Sequence, residues 1–248
     1  MGGGLMQLVA YGAQDIYLTG NPQITFFKVV FRRHTNFSME SIRQTWNGQS
    51  DATGTCTAVI SRNGDLVHKC YLQLNVQAKD SNNPGSAFIK TVDVEIGGQR
   101  IDRQTGNFME AFAELTQPNP MGMVGKINAS KSGTTFQRMS GMGGVNASQN
   151  STALNLFVPL QFWFCRNAGN ALPLIALQYH EVKIILEHTI DTYFGSPKND
   201  LYVDYIYLDT DERRRFAQVS HEYLIEQVQT QTVTEKNSNL NFNHPVKE

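Results

Sequence analysis

Short runs of β-branched and aromatic residues recur along the whole chain, each bounded by a turn signal, and no other feature narrows the possible folds as much. Gln23 to Phe31 follows the breaker Gly20-Asn21-Pro22 and ends at Arg32-Arg33, which reads as a strand. Similar runs cover Ala58 to Ser61, Leu66 to Val76, Thr91 to Ile96, Leu154 to Phe164, Tyr179 to Leu186, Leu201 to Leu208 and Tyr223 to Val233. Turn signals separate them: Asn63-Gly64-Asp65, Asn83-Pro84-Gly85, and Gly97-Gly98, which reads as a tight hairpin. In Leu72-Gln73-Leu74-Asn75-Val76 and Val92-Asp93-Val94-Glu95-Ile96 the apolar residues alternate, so each strand offers one face to a core. Only Asn107 to Leu115 carries apolar residues at helical spacing, at Phe108, Met109, Phe112 and Leu115, and it is expected to cap one end of a sandwich. Many short strands with few helices predict an all-β fold, a two-sheet sandwich or jelly roll, rather than a parallel α/β fold.

One stretch breaks the pattern. From Pro118 to Thr152 the chain is rich in Gly, Ser, Asn and Met with weak periodicity, and a run this long is expected to be an exposed, functional surface loop.

Composition removes several classes of function. With 21 Lys+Arg against 22 Asp+Glu the formal net charge is −1, so no bulk attraction to a phosphate backbone exists and no direct nucleic-acid contact is expected. The densest basic run, Arg213-Arg214-Arg215, follows Asp209, Asp211 and Glu212 closely enough to be nearly cancelled, and reads as a solvated strand end. Three cysteines, Cys56, Cys70 and Cys165, are odd in number and widely spaced, which argues against a disulfide framework or a zinc ribbon and fits a reducing, cytosolic compartment. The N-terminus lacks the basic and apolar regions of a secretory signal, and no run of about 18 apolar residues offers a transmembrane segment. Gly2 is not followed by the Ser or Thr that a myristoylation motif wants, Met6 standing there instead.

The search for chemistry returns near misses. Gly125-Lys126 resembles the end of a phosphate-binding loop, but Ile127 replaces the hydroxyl residue and Pro120 the first glycine. Among the histidines, His180 and His188 are nearest; on one strand they would lie roughly 26 Å apart at about 3.3 Å per residue, too far to share a metal. Asp209-Thr210-Asp211-Glu212 offers hard oxygens for Ca²⁺ but lacks the spacing of a dedicated loop. Trp46, Phe162, Trp163 and Phe164 would suit a sugar-stacking platform and suit a core better. Asn-x-Ser/Thr sequons stand at Asn36, Asn128, Asn146 and Asn150, the last three being candidate glycan attachment sites in the long polar stretch. No enzymatic activity, no cofactor and no metal is expected.

The segment Leu8 to Lys28 resembles the start of the major capsid proteins of nucleocytoplasmic large DNA viruses, notably the chlorovirus and mimivirus-like branches. So do Ile60 to Leu66, Glu95 to Asp102, Ala171 to Val182 and Val203 to Thr210, in the same order. The resemblance implies a structural subunit of two successive jelly rolls. Three subunits would form a pseudo-hexagonal homotrimer that tiles an icosahedral shell, assembled in the host cytoplasm, with itself, neighbouring capsomers and minor capsid proteins as partners. It also implies an N-terminal assembly arm at residues 1–20, carrying Tyr11, Gln14, Asp15 and Tyr17, and a first roll over residues 21–219. A linker and the first strand of an incomplete second roll would occupy residues 220–248. The alternatives are a carbohydrate-binding jelly-roll module and a single-roll minor capsid paralogue.

Overall fold

The structure is a computed structural model that describes residues 35–50, 52–76, 83–117, 127–128, 134–143, 145–146, 154–189, 198–233 and 236–247. The N-terminal arm, with Tyr11, Gln14, Asp15 and Tyr17, and the strand expected over 23–31 lie outside those residues. In chain order the strands are β1 (Phe37–Gln44), β2 (Trp46–Gly48), β3 (Gly54–Val59), β4 (Leu66–Val76), β5 (Ile89–Ile96), β6 (Gln99–Thr105), β7 (Ile127–Asn128), β8 (Val145–Asn146), β9 (Leu154–Pro159), β10 (Leu172–Pro173), β11 (Val182–His188) and β12 (Lys198–Leu208).

Two five-stranded antiparallel sheets carry the fold. One runs β1, β12, β4, with β9 and β10 both on the far edge of β4; the other runs β2, β3, β11, β5, β6. When the eight long strands β1, β3, β4, β5, β6, β9, β11 and β12 are counted in order, the first sheet reads first, eighth, third, sixth and the second reads second, seventh, fourth, fifth. Two interlocked Greek keys give that order, and the chain is an all-β jelly roll.

Alternation decides which side chains meet between the sheets. In β11 Val182, Ile184, Leu186 and His188 point inward beside Val92 and Val94 of the neighbouring β5, and in the other sheet Leu201, Val203 and Tyr205 of β12 point inward beside Leu72 and Leu74 of the neighbouring β4. Each aliphatic side chain among them, fully buried, stabilises the fold by about 1.5–3 kcal/mol, against at most about 1 kcal/mol for an exposed pair such as Arg43–Asp200. The core is therefore apolar packing with ion pairs at its margins. Trp163, Phe162 and Phe164 are buried within it, and Trp46 packs against it half-buried.

Gly97 and Gly98 close the hairpin between β5 and β6 with φ of 59° and 84°, the two positive values of a type I′ turn. Asn107 to Leu115 lies within the helix Gly106–Thr116, whose first turn is capped by the Thr105 hydroxyl accepting from Phe108 N.

Several expectations are corrected. The run over 154–164 leaves the sheet at Pro159, and Trp163–Arg166 is a helical turn; with Phe162, Trp163 and Phe164 all buried, periodicity could not separate turn from strand. His180 belongs to the turn before β11, not to the strand that holds His188. Arg213-Arg214-Arg215 sits on the helix Thr210–Gln218 rather than at a strand end, because the Asp209 carboxylate accepts from Glu212 N and caps the first turn. That cap is also the structural role of the acidic cluster weighed above for Ca²⁺.

Within the stretch expected to be exposed loop, residues 134–143 are folded in. A capping box between Thr134 and Gln137 starts the helix Thr135–Ser140, Gly141 ends it in the left-handed region, and Met142 is fully buried in the core. The strand expected over Tyr223 to Val233 is not formed: residues 219–233 have no ladder partner among the described residues and meet the roll through hydrogen bonds in which side chains take part.

Candidate functional site

Four of the segments that carried the resemblance converge on one end of the sandwich. Ile60 N donates to Val182 O at 2.9 Å and Gly97 N to Glu181 O at 2.9 Å, joining the loop after β3, the β5–β6 hairpin and the turn before β11. Arg62 reaches over the same turn and donates to Leu177 O at 2.7 Å and His180 O at 3.3 Å. The Tyr205 hydroxyl donates to Ser61 O at 2.6 Å, while Ser61 N and Oγ both donate to Gln44 Oε1. Burial pushes the Tyr205 phenol up to about 12, so it stays a donor across the physiological range.

Asp65 ties this end together. Its side chain is only 10% exposed; Oδ2 accepts from Leu208 N at 2.8 Å and from Arg213 at 3.0 Å, and its carbonyl takes Leu174 N. These donors supply the hydrogen bonds that a buried carboxylate loses from water. The crown on this base is exposed: Arg62, Asn63, Gln178, Tyr179, His180 and Arg100, with Tyr179 at 93%. What the arrangement offers is a stiff, polar contact platform, for which hydrogen-bonded loops on a packed core are suited.

Beyond the helix Thr210–Gln218 the chain continues as a strap. His221 stacks on Phe216, the Tyr223 hydroxyl donates to Ala171 O, and Glu226 pairs with Arg166 at 2.6 Å and with Lys247. Gln227 Nε2 then donates to Ile101 O, and Val228 N to Asp102 Oδ1 at 2.9 Å. Lys247 and Arg166 hold the Glu226 carboxyl below its usual range, whereas burial raises that of Asp102 despite the hydrogen bonds it accepts.

Among the described residues no three His, Cys, Asp or Glu side chains gather as a metal site would need. The three thiols are buried and unbridged; burial raises Cys56 to about 12, and Cys70 is raised first by its hydrogen bond with Cys165 and then by burial. No described helix is long and apolar enough to cross a membrane.

Of the residues singled out for attachment, Asn128 and Asn146 stand opposite each other in the parallel pair β7–β8, Asn36 is exposed beside β1, and Asn150 lies outside the described residues. Asp65 and Asp102 were missed by sequence reasoning. The available signal for Asp102 was a polar pair, Asp102 and Gln104, at alternate positions of a strand, where apolar residues would face a core.

Comparison with known proteins agrees with this geometry. The family described as "Major capsid protein N-terminus" matches residues 25–209. The major capsid protein of Pyramimonas orientalis virus is 56% identical over all of this chain and 64% of its own length; that of Paramecium bursaria Chlorella virus 1 is 43% identical over all of this chain and 60% of its own. The chain thus spans less than two-thirds of these relatives. The solved PBCV-1 virus capsid, a quasi-atomic model, superposes with a TM-score of 0.65 at 35% identity, covering 82% of this chain and 50% of that one. The Faustovirus major capsid protein, at 11% identity and a TM-score of 0.56 over 78% of this chain and 58% of its own, shares the fold. The jelly-roll strand order, the convergence of the matching segments at one end and the identity along the entire chain place this protein in the major capsid protein family of large DNA viruses.

Proposed function

We propose that this chain supplies the first of two jelly rolls in a capsid subunit, three of which close into a pseudo-hexagonal capsomer of an icosahedral shell, assembled in the host cytoplasm. Identity of 56% along the entire chain to a major capsid protein carries the reading. The strand order supports it, because paired sheets make a stiff block whose end loops can present lateral contact surfaces. On this reading residues 1–20 form an arm that reaches under neighbours through Tyr11, Gln14, Asp15 and Tyr17. Residues 21–219 form the first roll, and residues 220–248 lead into the second. Minor capsid proteins would bind the finished capsomer, Asn128, Asn146 and Asn150 would be the positions open to glycans, and the subunit has no catalytic task. The aromatic residues a sugar platform would need are in the core, which counts against a carbohydrate-binding module.

Light scattering on the full-length gene product at micromolar concentration, with mass spectrometry of purified virions, tests the proposal. A stable trimer that is abundant in virions is expected; a monodisperse monomer absent from virions overturns it.

A further inference from the structure

Among the described residues β6 is the outer strand of its sheet, and the strap lies against it. The register with β5 slips between Val94 and Glu95: Arg100 faces Glu95 and Asp102 faces Val94, so Ile101 has no partner in β5. Such a bulge re-aims backbone groups at a sheet edge. Here the Ile101 carbonyl is taken by Gln227. One residue further on, Asp102 is 3% exposed, an expensive position for a carboxylate unless donors surround it. Its Oδ2 accepts from Gln104 Nε2 at 3.0 Å, and its Oδ1 from Val228 N at 2.9 Å. Gln104 donates also to Gln161 O, which in turn accepts from Arg166 Nε; the same guanidinium lies 4.4 Å over the Phe112 ring and bonds Glu226. Arg166 is thus fixed by the roll on one side and reads the strap on the other.

From this juxtaposition we infer that Asp102, Gln104, Arg166 and the bulge at Ile101 form a docking site for an extended polypeptide segment, and that its occupant is residues 223–228 of the same chain. The site recognises one acidic side chain, Glu226, and one backbone N–H two residues on, Val228, a pattern that holds an extended segment in one direction and register. On the two-roll reading, with which this inference deepens the assembly proposal, the site sets the direction in which the chain leaves the first roll.

Hydrogen exchange of the whole 248-residue chain tests the site. The Val228 amide should be protected, because Asp102 accepts from it. Arg166→Ala and Asp102→Ala should each speed exchange at Val228 by about tenfold or more while peptides from β4 and β11 stay as protected as before. Because Asp102→Ala removes a buried group, Glu226→Ala on the strap provides a variant that leaves the sandwich untouched and should have the same local effect. The exchanged pair Arg166→Glu with Glu226→Arg should recover part of the protection that either change alone removes. An unprotected Val228 amide in the parent chain, or equal exchange at Val228 in parent and Glu226→Ala, would overturn the docking site. Those outcomes leave the trimer measurement on the full-length product unaffected, so the two ideas fail separately.

Discussion

At the residue scale the core holds groups whose protonation is tied to folding. Cys56 rises from 9.0 to about 12 and Tyr205 from 10.0 to about 12, both chiefly by burial. A raised pKa on these acids means the native state binds the proton more tightly than the unfolded chain. The stability this confers is complete below about 9 and is lost as pH rises from there to about 12. Urea midpoints should therefore fall steeply above pH 9, and Cys56→Ser should lessen the fall; an unchanged midpoint between pH 9 and 11 would contradict the assignment. In the same buffers below pH 8.5 a disulfide reagent should find no reactive thiol in the folded protein and three after denaturation. Gly85 is a second sensitive position, for a steric reason: a Cβ there would stand 1.9 Å from the Ser140 carbonyl oxygen, a backbone atom that cannot swing aside. Gly85→Ala is expected to cost about 1–3 kcal/mol or more, seen as a melting temperature lower by several degrees; an unaltered melting curve would show that Pro84–Ala87 and residues 134–143 are not packed together.

At the element scale, what the sequence disclosed depended on whether packing or local chemistry decided the structure. β4 is read to the residue, Leu66–Val76, because its alternation faces one core; β12 and β5 begin three and two residues before their expected starts at Leu201 and Thr91, and the Gly97-Gly98 hairpin is set by backbone conformation alone. Residues 134–143 were hidden by composition, since Gly, Ser and Met around Phe136 obscure the periodicity, although the capping pair Thr134 and Gln137 is a recognisable local signal. The docking site for the strap was out of reach, because it joins Asp102, Arg166 and Glu226 across 124 positions of chain and only the folded sandwich brings them together. The capping box itself can be tested. Thr134→Ala removes the acceptor for Gln137 N and should destabilise the protein by about 1 kcal/mol, a melting shift of roughly 2–4 °C, with Thr134→Ser close to wild type. Equal losses in both variants would mean that the threonine methyl, not the cap, matters there.

At the scale of the whole molecule, the two ends of the roll differ in character. The end built from the loop after β3, the β5–β6 hairpin and the turn before β11 is short, interbonded and crowned by polar groups, whereas the strap that leaves it carries most of the uncovered apolar surface. Of the 13 exposed large hydrophobic residues among those described, seven lie on Val219–Val246: Val219, Leu224, Ile225, Val233, Leu240, Phe242 and Val246. Single exposed apolar residues are ordinary, but a concentration of them on one segment marks a surface that another polypeptide covers. On the two-roll reading that cover is the second roll, and the 248-residue chain by itself should be monomeric when dilute and associate weakly as concentration rises. Sedimentation velocity across a concentration series should show the weight-average coefficient increasing, and the triple change Leu224→Ser, Leu240→Ser, Val246→Ser should flatten that increase. Because all three side chains are more than half exposed, the melting temperature should hold within about a degree or two. Association that persists undiminished in the triple variant would place the self-contact elsewhere, with the Tyr179 crown at the bonded end as the next surface to change.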